Sequence, residues 1–245
     1  MSFAEIRSLL YPTQCVACGG GNVEICPRCE SGLVSFRNTV TLHQLPLYSA
    51  LSYNETSSHL ILAAKESNDR ACARYLASLM AMRFSRIHRD LTFDRYLLIP
   101  IPSSRKADRR RGFAHTVVLS KLLAHEVKRS IGLSCRVLPL LAPTRAIADQ
   151  SRLTAQQRQR NIHGAFTAQS RVKIDRRGAE GIIVVDDLVT TGSTMGEALR
   201  ALKLASYEPD ALLSACVAGR FLANKIGTSL PALRSTAKKE ELWPC

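Results

Sequence analysis

The sequence predicts an α/β domain, a parallel sheet flanked by helices, carrying a small four-cysteine knuckle at its N-terminus. Three observations predict it. Ile182, Ile183, Val184 and Val185 form a continuous β-branched run, the pattern of a strand buried on both faces. Apolar stretches of strand length alternate with stretches whose apolar residues recur at helical spacing, the order that builds a parallel sheet. Four of the eight cysteines fall as Cys15-x2-Cys18 and Cys26-x2-Cys29, with Gly19, Gly20 and Gly21 supplying a tight turn between the pairs.

In chain order, residues 1–10 suit a short helix beside the knuckle, and within the mixed stretch 33–55 a strand is expected over 45–53. Helices follow over 57–65, where Leu60, Ala63 and Ala64 keep helical spacing, and over 70–88, through Cys72, Tyr75, Leu76, Leu79, Met80 and Phe84. Residues 96–102 read as a strand whose end is marked by Pro100 and Pro102, and 112–131 as a strongly amphipathic helix. A strand at 137–141, a polar helical piece at 153–161 and a short extended piece at 164–168 lead to the β-branched strand. Met195, Ala198, Leu199, Leu202 and Ala205 then define a helix, and 211–218 a last buried strand. The expected division is a knuckle over 1–35, the main domain over 36–220 and a tail over 221–245 without firm pattern.

A chain of 245 residues can hold one substantial core plus an appendage. No apolar run reaches bilayer length, and Glu5 and Arg7 interrupt the apolar patch at the N-terminus, so neither a membrane span nor a secretory signal is expected. The cytoplasm is the compartment this implies. Lys plus Arg number 34 against 20 Asp plus Glu, a net charge of +14 that favours polyanionic partners such as nucleic acid or pyrophosphate-bearing small molecules. The charge gathers at Arg105, Lys106, Arg109, Arg110 and Arg111, at Arg152, Arg158 and Arg160, and at Arg171, Lys173, Arg176 and Arg177. The third cluster reads as solvated surface.

Each Cys-x-x-Cys turn aims two thiolates at one point, so Cys15, Cys18, Cys26 and Cys29 complete a tetrahedral sulfur set suited to Zn2+ in a structural role. Two disulfides, disfavoured in a reducing compartment, and an iron–sulfur cluster are the rivals. Cys72, Cys135, Cys216 and Cys245 lack such spacing; three lie among apolar neighbours and read as small buried hydrophobes.

The β-branched strand is followed by Asp186-Asp187-Leu-Val-Thr190-Thr191-Gly192-Ser193-Thr194. The acids are expected to end the strand at the carboxyl edge of the sheet, the ligand edge of α/β domains. A glycine and hydroxyl-rich turn opening a helix offers backbone N–H groups and hydroxyls to a phosphate, aided by the helix dipole. Carboxylates beside it repel phosphate but accept from ribose hydroxyls or bind magnesium. Together these read as a 5-phosphoribosyl site. A solvated strand end leaves the turn unexplained. A receiver-domain acidic pocket sits early in its domain rather than near the end, and a P-loop protein needs a Gly-x4-Gly-Lys-Ser/Thr that this chain lacks.

Residues 184–194 resemble the phosphoribosyl diphosphate (PRPP) motif of type I phosphoribosyltransferases. The resemblance implies that fold, with the catalytic pair Asp186 and Asp187 on the ribose hydroxyls and Thr190, Thr191, Gly192, Ser193 and Thr194 on the 5′-phosphate. After the strand at 96–102, Ser103, Ser104, Arg105 and Lys106 suit the pyrophosphate half of PRPP with its Mg2+, where cations offset a departing pyrophosphate. The bland alternative there is a solvated basic loop.

A wider pattern runs from the knuckle through Pro100-Ile-Pro102 and Arg110-Arg-Gly-Phe113 to Asp149-Gln-Ser, Arg160-Asn-Ile-His-Gly-Ala-Phe166 and the acid motif. It resembles, over roughly residues 8–220, the ComF family of competence-associated phosphoribosyltransferase-like proteins. That resemblance implies a part in uptake of single-stranded DNA with a helicase-like partner. Ala114, followed by His115, stands where the family carries an asparagine after Arg-Gly-Phe/Tyr, and its Lys-Tyr-x-Gly appears here as Lys65-Glu66-Ser67-Asn68. Two functions stay open: a glycosyltransferase or PRPP-binding protein of unknown acceptor, and a nucleic-acid or protein-binding competence factor with a regulatory or vestigial pocket. No general base is identified; His115 and His163 are the candidates.

Overall fold

The computed structural model describes residues 14–21, 23–145, 162–169, 180–219 and 221, without the side chain of Arg105. The expected elements at 1–10 and 153–161, the second and third basic clusters, Asp149 and Cys245 lie outside the described residues. In order the elements are α1 (Pro27–Ser31), β1 (Thr39–Leu42), β2 (Leu45–Ser52), α2 (Glu55–Glu66), α3 (Arg70–Leu91), β3 (Arg95–Pro100), α4 (Arg105–Arg111), α5 (His115–Ile131), β4 (Ser134–Val137), β5 (Leu141–Pro143), β6 (Phe166–Ala168), β7 (Glu180–Val189), α6 (Ser193–Leu204) and β8 (Ala211–Val217).

Six strands form one sheet in the order β1-β2-β8-β7-β3-β4, while β5 and β6 make a separate antiparallel ribbon. Only β1 runs antiparallel to its neighbour within the large sheet; every other pairing is parallel. The period of two explains the β-branched run. Ile183 and Val185 face a core built with Leu60, Leu76, Met80, Phe84, Leu119 and Leu123 from α2, α3 and α5. Ile182 and Val184 face the opposite layer, with Met195, Ala198 and Leu202 of α6 and Phe166 of the ribbon. A strand covered on both faces has no solvent side on which to place polar residues.

Local chemistry sets the helix starts. Asn54 and Ser57 form a reciprocal capping box at α2, and the Asp69 carboxylate accepts from the backbone of Ala71 and Cys72 at α3. Among the described residues no helix is long and apolar enough to cross a membrane.

Three expectations are corrected, and one stretch read as mixed is resolved. The strand carrying the acids does not end at Val185: β7 continues to Val189, because β8 pairs with it as far as Val189↔Val217. The helix expected from Gly112 starts at His115, since Gly112, at φ 77°, closes the separate short helix α4. The strand expected at 137–141 is two strands, Ser134–Val137 on the sheet edge and Leu141–Pro143 in the ribbon. The mixed stretch before β2 supplies β1, joined to it by a two-residue turn at His43 (φ 49°) and Gln44 (φ 69°), a left-handed pair that glycine and asparagine normally signal.

Candidate functional site

Two neighbouring strands deliver the site. Pro100 of β3 stands opposite Val185 of β7, and the Ile101 N–H continues the ladder by donating to the Val185 carbonyl at 2.9 Å. The turn at Ser103–Lys106 and the acid pair therefore leave the same edge of the sheet side by side.

Both acids are buried, Asp186 at 8% exposure and Asp187 at 5%. The Asp187 N–H donates to Asp186 Oδ1 at 2.9 Å. Asp187 Oδ2 accepts from Lys65 Nζ at 2.6 Å, and His115 Nε2 stands 3.7 Å from the same oxygen. The two carboxyls are pushed in opposite directions. Burial and the charge of Asp187 push the Asp186 carboxyl well above the ordinary range. Burial also works to raise Asp187, but Lys65 and His115 outweigh it and hold that carboxyl at about 2. The Asp187 charge in turn raises Lys65, whereas burial lowers His115, whose Nε2 has no hydrogen-bond partner among the described residues.

The bend that follows opens α6. Gly192 is its N-cap with φ 77° and offers no side-chain cap, so the first-turn N–H groups lack an intrahelical acceptor and face the bend. A Cβ at Gly192 would lie 2.8 Å from Leu42 Cδ1 and 3.2 Å from Phe221, so the position requires glycine on grounds of space as well as backbone. Thr191 Oγ1 and Ser193 Oγ are 3.0 Å apart, and Thr190, Thr191, Ser193 and Thr194 are half-buried rather than sealed inside. This is an open cradle of hydroxyls at a helix N-terminus.

In the second turn, Ser104 is already engaged as the N-cap of α4, its Oγ accepting from the Ala107 N–H at 3.2 Å. Ser103 is half-buried and Lys106 exposed; Arg105 places its backbone in the first position of α4. The structure thus brings Asp186, Asp187, the 190–194 bend and the 103–106 turn to one edge.

Four further residues join them; the sequence offers His115 as a candidate base and gives the other three no role. Lys65 and His115 reach Asp187 from α2 and α5, and Glu66 and Arg111 pair beside them at 3.3 Å. The retained lysine of the Lys65–Asn68 stretch was the available signal for Lys65; Glu66 and Arg111 needed the helices to be assembled.

At the N-terminus the sulfurs of Cys15, Cys18, Cys26 and Cys29 all lie within 4.8 Å of one another, with Cys18 and Cys26 3.7 Å apart. Four sulfurs about 2.3 Å from one centre stand about 3.8 Å apart at tetrahedral angles, so the set can hold a metal ion. The Cys26 N–H donates to Cys15 Sγ at 3.4 Å. The knuckle is docked rather than free: Tyr75 donates to Glu30 at 2.6 Å, Asn54 Nδ2 to the Gly32 carbonyl at 2.7 Å, and Val16 and Leu33 pack on the core. Cys72 and Cys216 are fully buried, as expected, and Cys135 is half-buried.

No protein-family model matches the chain. It is 30% identical over 190 residues to the DNA utilization protein YhgH of Salmonella typhi, covering 74% of this chain and 78% of that protein. Against the DNA utilization protein YhgH of Escherichia coli O6:H1 it is 32% identical over 160 residues, covering 64% and 65%. Its structural neighbours are phosphoribosyltransferases. The hypoxanthine-guanine phosphoribosyltransferase of Bacillus anthracis aligns over 59% of this chain and 64% of that one, with a TM-score of 0.34 at 13% identity. That of L. donovani aligns over 59% and 69%, with a TM-score of 0.32 at 15% identity.

Proposed function

We propose, since this chain belongs to the ComF-type family of the DNA utilization protein YhgH, that it binds PRPP with Mg2+ at the shared edge of β3 and β7 and serves in the use of DNA taken up by the cell. The observation that supports this is the meeting of a buried acid pair, a helix N-terminus with glycine at its N-cap and a hydroxylated bend, and a basic turn at neighbouring strand ends. In this reading the bend from Thr190 to Thr194 takes the 5′-phosphate through N–H and hydroxyl donors. Asp186 and Asp187 accept from the ribose hydroxyls, and Ser103, Ser104, Arg105 and Lys106 attend the pyrophosphate and its Mg2+. Magnesium, when bound, would offset charge on a departing pyrophosphate. The residues themselves orient the sugar so that its anomeric carbon lies between the two turns, open to an acceptor nucleophile. The knuckle takes Zn2+ through Cys15, Cys18, Cys26 and Cys29, whose four ligands leave no position for chemistry. The division into 1–35, 36–220 and 221–245 belongs to the same reading.

Thermal melting of the whole chain with PRPP and Mg2+ tests it. A ligand that binds only the native state raises stability by RT ln(1 + [L]/Kd), about 2.7 kcal/mol at a hundredfold excess over Kd. An unchanged melting temperature at millimolar PRPP would end the reading. A second reading, direct binding of single-stranded DNA beside a helicase-like partner, is favoured by Lys106, Arg109 and Arg110, all exposed along α4. Affinity for single-stranded DNA that falls steeply with salt and survives Asp186→Ala with Asp187→Ala would favour it.

A further inference from the structure

At the end of α2 two adjacent residues reach in different directions. Lys65 Nζ holds Asp187 Oδ2 at 2.6 Å. Glu66 accepts from Arg110 Nη2 at 2.6 Å and from Arg111 Nη1 at 3.3 Å, and Arg111 Nη2 lies 2.9 Å from Asp108 Oδ1. The Arg111 side chain is only 3% exposed, and its Nε is buried without a partner among the described residues.

Helix α4 needs such a hold. None of its described residues is a buried hydrophobic, and its one buried side chain is the charged Arg111, so hydrophobic packing does not fix its direction. It carries Lys106, Arg109, Arg110 and Arg111, of which Arg111 lies close enough to oppose the Lys65 charge, and like charges of that density push apart unless a carboxylate stands between them. Glu66 supplies that carboxylate. It lies one peptide bond from the lysine that grips the acid pair, at a position where the resembled family carries tyrosine.

We propose that Lys65 and Glu66 act as a strap that sets the spacing between the acid pair and α4, with Glu66 a positioning residue for the pyrophosphate half of the ligand. The proposal rests on the PRPP reading above. Lys65 fixes the Asp187 carboxylate on the sugar side. Glu66, through Arg110 and Arg111, fixes the axis of α4 and hence the direction of the turn at Ser103–Lys106. A sugar phosphate without pyrophosphate uses only the first half of the strap.

Calorimetric titration of the full chain with ribose 5-phosphate, Mg2+-pyrophosphate and Mg2+-PRPP separates the two halves. Glu66→Gln is expected to weaken PRPP and pyrophosphate at least tenfold and to leave ribose 5-phosphate within twofold. Glu66→Asp, which keeps the charge, should recover most of the loss. Equal losses for all three ligands, no loss for any, or no recovery with aspartate would each overturn the strap. If the unaltered chain binds neither ribose 5-phosphate nor PRPP, the site reading itself falls and takes the strap with it. A variant that unfolds is recognised by its circular dichroism, and Arg110→Gln with Arg111→Gln then carries the same test from the other side of the pair.

Discussion

Asp186 and Asp187 are neighbours in the chain whose carboxyls are shifted in opposite directions. The Asp187 carboxyl, held at about 2 in the fold against an ordinary 3.8, contributes stability that is present above pH 4 and lost as pH falls toward 2. The Asp186 carboxyl is raised, so its sign is reversed: its contribution is full below about pH 4 and lost as pH rises through the folded value. Asp186→Asn keeps an oxygen for the Asp187 N–H and cannot ionise. We expect it to melt higher than the unaltered chain at pH 7. The difference should close near pH 4, while the PRPP-induced rise in melting temperature disappears. Melting curves from pH 3 to 8 with and without PRPP check both. A stability gain coupled to loss of binding is the signature of a carboxyl kept for its ligand rather than for the fold.

The elements show where sequence pattern was sufficient and where it failed. Both faces of β7 are apolar as far as Val185, and that much was written in four β-branched residues. Its continuation through two acids was not legible, because strand length is set by the pairing of β8 rather than by local polarity. The start of α5 was misplaced for a related reason. Gly112 and Phe113 sit next to a strong helical pattern, yet a left-handed glycine ends one helix before another begins. The N-cap of α5 is Ala114, in an extended conformation (φ −88°, ψ 98°) with no side-chain cap. Ala114→Asn is therefore expected to stabilise the chain by about 1 kcal/mol, read as an upward shift of the denaturation midpoint with unchanged slope. No shift would mean that the amide cannot reach the first-turn N–H groups beside Ile101 and Thr116.

For the whole molecule, the order of the sheet explains why the candidate site was half legible. The acid motif and the 190–194 bend are contiguous in sequence and could be read as one unit. The 103–106 turn lies some eighty residues away and meets them only because β3 pairs with β7. Lys65, Glu66, Arg111 and His115 come from three helices on one face, and no local spacing announces their meeting. The knuckle was the opposite case, since two short turns carry the whole geometry of the set. Its docking through Val16, Leu33, Glu30 and Gly32 would make a metal bound there a support of the main core as well. Removal of zinc by a strong chelator should release one metal ion per chain and lower the melting temperature. It should also make the thiols of Cys15, Cys18, Cys26 and Cys29 reactive, while Cys72 and Cys216 stay silent until the chain unfolds. Metal analysis with thiol titration distinguishes this from a disulfide pair, which would yield no metal and no new thiols.

Strand β7 has a parallel partner on each side, so its amides meet water only after both β3 and β8 are stripped away. Whatever settles on its two acids fastens the stretch of chain that lets go last. Occupancy there registers as slower digestion of the entire protein by a protease, with no local footprint to mark where the sugar sits.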